Sequence, residues 1–141
     1  MARLKITLPD EFVFSTKIPI RIGDINRGGH LGNESFLVII EEARERFLQS
    51  IGFSNTGTDG VGFIMADVSV MYLGQGRYGQ TLEVEIAITD FTTKWFDMVY
   101  KVTDAETSLE LARAKTLLLF YDYHQQRIIP VPHDFRKKFS G

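Results

Sequence analysis

The sequence predicts an α+β fold in which one long helix packs against a curved antiparallel sheet. Residues 12–22 alternate between apolar and polar side chains, which is typical of a strand with one buried face. Residues 34–51 then carry apolar side chains every three or four positions, as in an amphipathic helix. Four further segments with strand-like alternation follow the helix, so the predicted element order is βαββββ.

The predicted helix has recognisable ends. Asn33 suits the N-cap position, Glu34 suits the positive end of the helix dipole, and Gly52 suits the first position after the helix. A helix of this length spans about 27 Å, which is longer than the average helix of a globular protein. Because one helix covers only one face of a five-stranded sheet, we expect the sheet to curl around it.

The four later strands are separated by turn-rich segments. They are expected at residues 63–73, 81–90, 94–104 and 109–123. Short connections between them favour antiparallel neighbours. The last segment, residues 130–138, is expected to be extended and to end in a short helical turn.

Two features of these strands concern the surfaces of the sheet. Asp67 is expected to share a strand face with Phe63 and Met65, where its carboxylate either lines a cavity or contacts a partner. Apolar side chains also occur on the second face of the sheet, for example Trp95 and Val99. This pattern favours further burial by a symmetric partner.

Length and composition fit one globular domain that spans residues 1–141. The net charge of −2 provides no basic field for nucleic acid, and the apolar runs are too short to cross a membrane. The absence of cysteine excludes disulfides and thiolate metal sites, and the three histidines lack the spacing of a zinc site. The N-terminus lacks the apolar run of a signal peptide, so we expect a soluble cytoplasmic protein.

The segment 23–33 concentrates glycines and polar side chains immediately before the helix. Its polar residues include Asp24, Asn26, His30 and Asn33. Glycines let a backbone approach a ligand closely, and a helix start presents unpaired N–H groups that suit an oxyanion. A carboxylate and an imidazole beside such a start support acyl transfer or hydrolysis. We therefore interpret this segment as the active-site loop of a small hydrolase.

The same four residues carry a family resemblance. Asp24, Asn26, His30 and Asn33 match, in order and spacing, the loop motif of the hotdog-fold thioesterases. The chain most resembles the 4-hydroxybenzoyl-CoA thioesterase type and the related acyl-ACP thioesterases, and the resemblance covers nearly the whole chain. The segment 41–44 also matches their helix signature.

The sequence departs from the family pattern at two positions. Asn26 stands where many relatives carry a second loop acid, and Gln80 stands where an acid usually follows the glycine-rich turn. Asp24 is therefore the one carboxylate of the loop, and mechanisms that need two loop carboxylates do not fit it.

The resemblance implies hydrolysis of an acyl-CoA or acyl-ACP thioester by a homodimer or homotetramer, with no cofactor other than the carrier in the substrate. Asp24 would act as general base or nucleophile, and His30 would polarise the carbonyl or orient water. Asn33 would cap the helix and also hold Asp24 or a water. Backbone N–H groups of Leu31 and Gly32 would form an oxyanion hole.

Candidate substrate contacts are Asn26, Phe63 and Arg77. Phe63 suits an acyl pocket or the core, and Arg77 suits either the phosphates of CoA or a solvated surface. Glu41 and Glu42 on the helix are alternative catalytic carboxylates, although each is also spaced for a surface pair with an arginine.

Two other functions remain open at this point. A non-catalytic domain that binds acyl thioesters would use the same pocket, and the single loop carboxylate favours it. A dehydratase acting on a 3-hydroxyacyl thioester would form an enoyl product and release no thiol.

Overall fold

A computed structural model, which describes residues 4–53 and 60–139, contains a curved antiparallel sheet and one long helix. The strands are β1 (Phe14–Pro19), β2 (Val61–Tyr72), β3 (Thr81–Thr89), β4 (Trp95–Asp104), β5 (Glu110–Asp122) and β6 (Arg127–Ile129). The helices are α1 (Asn33–Ser50) and α2 (His133–Phe139), and a 3-10 turn at Ile22–Asp24 precedes α1. The predicted α+β hotdog fold is confirmed.

The strands follow one another across the sheet in the order β1-β3-β4-β5-β2, and every pair is antiparallel. β1 pairs with β3 alone and forms one edge, which explains how Pro19 is tolerated there. β6 pairs with the end of β5, beyond the point where β4 stops. This sixth strand was not predicted, because three residues are too few to show an alternating pattern.

α1 packs its apolar side against the concave face of the sheet. Its buried residues are Phe36, Ile39, Ile40, Ala43, Arg44, Phe47 and Leu48. On the sheet, Tyr100 of β4 and Ala112 and Ala114 of β5 lie in this core. The two alanines leave room for the helix to approach the sheet closely.

The predicted orientation of Asp67 is wrong because β2 contains a β-bulge. The register with β5 shifts between Met65 and Asp67, so one residue is inserted into the alternation. Met65 and Val68 both face α1, where they line one cleft with Arg44. Asp67 pairs with Leu117 and faces the convex side of the sheet.

The convex face is covered in part by the chain's own N-terminal segment. Ile6 is buried, and its carbonyl accepts a hydrogen bond of 3.0 Å from Nη1 of Arg113. Val99 lies beneath this segment and is also buried. Burial of Val99 therefore needs no partner, whereas Trp95 on the same strand remains 41% exposed. No helix in the described part of the chain is long and apolar enough to cross a membrane.

The turn between β4 and β5 is held by the Asp104 carboxylate. Oδ1 accepts hydrogen bonds from the backbone N–H groups of Glu106 and Thr107, at 2.8 and 3.1 Å. Oδ2 accepts one from the Gln80 side chain at 2.7 Å. An acid at position 80 would instead place two carboxylates in contact, which accounts for this departure from the family pattern.

We expect Asp104→Asn to flatten the acid dependence of stability. The N–H groups of Thr107 and Glu106, with the Gln80 amide, lower the pKa of Asp104 below its ordinary value of 3.8. The native state therefore binds this proton less readily than the unfolded state, and the stabilisation present at neutral pH is lost as the pH falls below about 4. Denaturant titrations at pH 7 and pH 3 should show a smaller difference for the variant than for the wild type. Equal flattening in Glu106→Gln, which removes a carboxylate from the same turn, would contradict this assignment.

Candidate active site

The polar loop folds into a small closed hairpin before α1. Ile25 and Leu31 form an isolated antiparallel bridge, and the N–H of Asn26 donates to the carbonyl of His30 at 2.8 Å. The side-chain oxygen of Asn26 accepts from the N–H groups of Gly28 and His30, at 3.0 and 3.2 Å. Asn26 therefore fixes the loop that presents the His30 ring.

The N–H groups of Leu31 and Gly32, predicted as oxyanion donors, are both occupied by backbone acceptors. Leu31 donates to the carbonyl of Gly76 at 2.8 Å, and Gly32 donates to the carbonyl of Asp24 at 3.0 Å. Gly76 approaches so closely that a Cβ there would lie 3.0 Å from Leu31 and from Ile20. Because residue 76 is a glycine, the connection between β2 and β3 can pack directly against the polar loop before α1.

The prediction that Asn33 is the N-cap residue is wrong, because α1 begins one residue earlier than predicted. Gly32 occupies the N-cap position, and Asn33 is the first helical residue. The first intrahelical bond runs from the N–H of Phe36 to the carbonyl of Gly32 at 2.9 Å. The preceding N–H groups, those of Asn33, Glu34 and Ser35, therefore have no acceptor inside the helix.

A cavity of about 240 Å³ opens at this helix start. Its polar rim includes three of the predicted site residues, Asn26, His30 and Asn33. Its apolar interior is lined by Phe36, Leu82, Val102, Leu111 and Ala112. The arrangement places polar side chains at the mouth of a pocket that suits an apolar group.

Asp24 does not line this cavity. Its buried carboxylate accepts hydrogen bonds from the backbone N–H and from the guanidinium of Arg21, at 2.8 and 3.3 Å. It borders a separate depression, shared with Val38 and Glu42 of α1. The loop motif therefore brings His30, Asn26 and Asn33 together and points the Asp24 carboxylate elsewhere.

Leu31 also lines the cavity, whereas Phe63, Arg77 and the two helix glutamates are separated from it. Phe63 is buried in a cluster of aromatic rings, with its centroid 4.6 Å from that of Phe120. Arg77 is exposed on the turn that follows Gly76. Glu41 and Glu42 have arginine partners on α1, with closest N–O distances of 3.8 Å to Arg44 and 2.8 Å to Arg46.

A tyrosine that lines the cavity was not predicted as a site residue. Tyr72 lines it, with its ring 5.5 Å from that of Phe36. Burial, and then the charge of Glu34, raise the pKa of the Tyr72 hydroxyl above its ordinary value. Glu34 was interpreted only as a favourable charge at the helix start. The orientation of Tyr72 toward the cavity depends on the β-bulge in β2, which no local sequence pattern reveals.

Comparison with known proteins identifies the family. A family model described as the thioesterase-like superfamily matches residues 20–139. The chain belongs to the thioesterase-like superfamily. No curated protein sequence matches this thioesterase-like chain significantly.

Solved structures similar to this thioesterase-like protein include a 1,4-dihydroxy-2-naphthoyl-CoA thioesterase, Slr0204 from Synechocystis. It has a TM-score of 0.80 at 22% identity and covers 90% of this chain and 95% of its own. A predicted thioesterase from Bacillus stearothermophilus has a TM-score of 0.78 at 20% identity, and the match covers 90% of this chain and 93% of that chain. The PA5185 protein of Pseudomonas aeruginosa has a TM-score of 0.82 at 15% identity, and the match covers 92% of this chain and 90% of that chain. At these identities the likeness shows the shared fold.

Among residues 4–53 and 60–139, no three His, Asp or Glu side chains lie close enough together to hold a metal ion.

Proposed function

We propose that this member of the thioesterase-like superfamily hydrolyses an acyl-CoA or acyl-ACP thioester to the free acid and a thiol. The observation that supports it is the cavity at the start of α1, with His30 and Asn33 at its mouth and apolar side chains in its interior. The acyl group would occupy the interior, and the thioester would lie at the mouth. Water is the only co-reactant, and CoA or the carrier protein enters with the substrate.

The helix start supplies the oxyanion donors in this proposal. Since Leu31 and Gly32 donate to backbone carbonyls, the donors are instead the N–H groups of Asn33, Glu34 and Ser35. The helix dipole adds to their attraction for a developing negative charge. His30, on the rim of the cavity, polarises the carbonyl or orients the water. The resemblance assigns the role of base or nucleophile to Asp24. In that role the Asp24 carboxylate has to give up its hydrogen bonds to Arg21 and turn toward the substrate.

We also propose a homodimer or homotetramer. β2 forms the edge of the sheet opposite β1, and its Met65 is 45% exposed. Leu37 and Val38 of α1, 39% and 56% exposed, lie beside it around one cleft. Exposed apolar side chains next to the open side of an edge strand favour self-association. A monomer in light scattering across the working concentration range would contradict this part.

The experiment that tests the proposed function measures thiol release from a panel of aliphatic and aromatic acyl-CoAs. We expect His30→Ala to lower kcat by about 100-fold, because it removes the ring that acts on the carbonyl or the water. His133→Ala, an exposed histidine on α2, is the matched control and should keep wild-type rates. Equal rates for the two variants would exclude His30 from the reaction.

One observation favours the binding-only alternative. The Leu31 and Gly32 N–H groups and the Asp24 carboxylate are all engaged within the protein. A domain that only binds acyl thioesters would need none of these groups. Tight binding of acyl-CoA and acyl-ACP without thiol release from either would support it, and an enoyl product would indicate the dehydratase.

A further inference from the structure

The cavity at the start of α1 is closed at its inner end by buried side chains of the sheet. These are Leu82 of β3, Val102 of β4, and Leu111 and Ala112 of β5. Each of them is at most 4% exposed, whereas Asn33 at the mouth is open to solvent. A group that enters from the mouth therefore meets an apolar wall and not a second opening.

A β-bulge in β5 adds one side chain to this wall. Val102 and Thr103 are adjacent on β4, but their partners on β5, Ala112 and Glu110, are two residues apart. Leu111 is therefore the inserted residue of the bulge. Neighbouring side chains of a regular strand point to opposite faces, yet Leu111 and Ala112 both line the cavity. The bulge thus redirects Leu111 into the cavity, as bulges beside active sites do.

The connection between β2 and β3 holds Leu111 in this position. The carbonyl of Leu111 accepts hydrogen bonds from the backbone N–H groups of Leu73 and Gly74, at 2.9 and 3.1 Å. Gly74 also lies against the Leu111 side chain, since a Cβ on Gly74 would be only 3.0 Å from Cδ2 of Leu111. Leu111 therefore has little freedom to turn toward this connection and make room for a larger ligand.

The volume of the cavity limits what can occupy it. Its 240 Å³ exceeds the volume of roughly 150 Å³ that accommodates benzene in an apolar cavity. It is smaller than the roughly 300–1,000 Å³ of sites that enclose drug-sized ligands. In proportion to benzene, the cavity holds an apolar group of roughly six to ten carbons. A long fatty acyl chain does not fit.

From this arrangement we propose that Leu111 and Ala112 set the upper size limit of the acyl group. The substrates are then thioesters of compact apolar acids, with roughly six to ten carbons or a single aromatic ring. This inference rests on the thioester hydrolysis proposed above, because it places the acyl group in the same cavity. The far end of the acyl group contacts the wall, and the thioester stays at His30 and Asn33. A longer group keeps the thioester outside the mouth, so kcat/KM falls.

The first test measures kcat/KM for a series of acyl-CoAs from butanoyl to hexadecanoyl, with benzoyl-CoA beside them. We expect the wild type to prefer hexanoyl-, octanoyl- or decanoyl-CoA. Beyond the preferred length, kcat/KM should fall by about tenfold or more, since a methylene that a pocket does not accommodate has an effect of this size. An equal or higher value for hexadecanoyl-CoA would overturn the size limit.

Leu111→Ala removes most of one side chain from the wall. We expect it to move the preferred length upward by about two carbons, because the substitution leaves a cavity where the side chain was. Leu118→Ala is the matched control, since Leu118 is a buried leucine of the same strand that lies outside the cavity lining. The control should lose stability without a change of preference. The same shift in both variants would exclude a specific role of Leu111.

Two further variants test the wall in both directions. Ala112→Val adds carbons inside the cavity and should move the preferred length downward. Leu111→Val is a milder change than alanine and should move it upward by about one carbon, so the test survives if Leu111→Ala does not fold. Shifts of Ala112→Val and Leu111→Val in the same direction would contradict the assignment.

Binding of S-alkyl-CoA thioethers, which cannot be hydrolysed, separates this inference from the proposed function. Their affinities should show the same preferred length and the same shift in Leu111→Ala. If the wild type hydrolyses thioesters but neither variant of Leu111 shifts the preference, the size limit fails and the proposed function stands. If no thiol is released but thioether affinity follows the predicted lengths, the proposed function fails and the size limit stands. Without release or length-dependent binding, both fail.

Discussion

Replacing Phe135 by alanine is expected to lower the free energy of unfolding by about 3–5 kcal/mol. Phe135 is the buried residue of α2 and has no exposed surface. Its ring lies 4.9 Å from Phe96 and 5.1 Å from Phe120, centroid to centroid. The substitution removes the ring contacts of this fully buried side chain and leaves a cavity among the surrounding rings. Urea titration should show an earlier midpoint for the variant.

Phe139→Ala is the control for this prediction. Phe139 lies on the same helix and contacts Phe47 and Phe135, but it is only partly buried. Its loss should therefore cost clearly less than the loss of Phe135. Equal destabilisation by the two substitutions would show that α2 as a unit, rather than the Phe135 ring in the core, carries the stability.

Tyr100→Phe is expected to cost about 3 kcal/mol, because it leaves a buried cation without its acceptor. Arg44 of α1 is buried, and its Nη1 donates to the Tyr100 hydroxyl at 3.1 Å. Its Nε has no hydrogen-bond partner in the described chain, and its nearest carboxylate, on exposed Glu41, is 3.8 Å away. Burial raises the pKa of Tyr100, so the acceptor is a neutral hydroxyl.

A double-mutant cycle isolates this effect. In an Arg44→Met background the cation is gone, and Tyr100→Phe then removes only the hydrogen bond to Thr116, which is 2.9 Å long. We expect the cost of Tyr100→Phe to fall by at least half in that background. Arg44→Met alone should change stability little, because an apolar side chain of similar volume replaces a poorly paired ion. Additive losses would contradict the assigned interaction.

The main elements of the fold could be predicted because their side-chain periods are long and regular. The alternation in β3, β4 and β5 extends over at least nine residues, and α1 keeps one apolar side through five turns. The orientation of Asp67 could not be predicted, because one inserted residue in β2 reverses the faces after it. The role of the N-terminal segment was missed because a single buried residue, Ile6, carries no periodic signal.

The candidate site also has features that the sequence predicts and features that it does not. Local spacing predicted that His30, Asn26 and Asn33 lie together, since the loop and helix start that hold them are continuous in sequence. The direction of the Asp24 carboxylate depends on a hydrogen bond to the backbone of Arg21, which spacing does not encode. Tyr72 reaches the cavity from a distant strand, which the spacing of the loop does not encode either.

The position of β2 in the sheet has a consequence for how the chain folds. β2 follows α1 in the chain, yet it pairs with β5, so the pairing of Val61 with Asp122 closes a loop that contains the β3 and β4 segments. Such a high contact order predicts slow refolding, roughly in the millisecond-to-second range. During synthesis β2 would leave the ribosome well before its partner strand, with both edges unpaired. Nascent chains stalled before β5 should therefore depend on chaperones, and this dependence should end once β5 has been made.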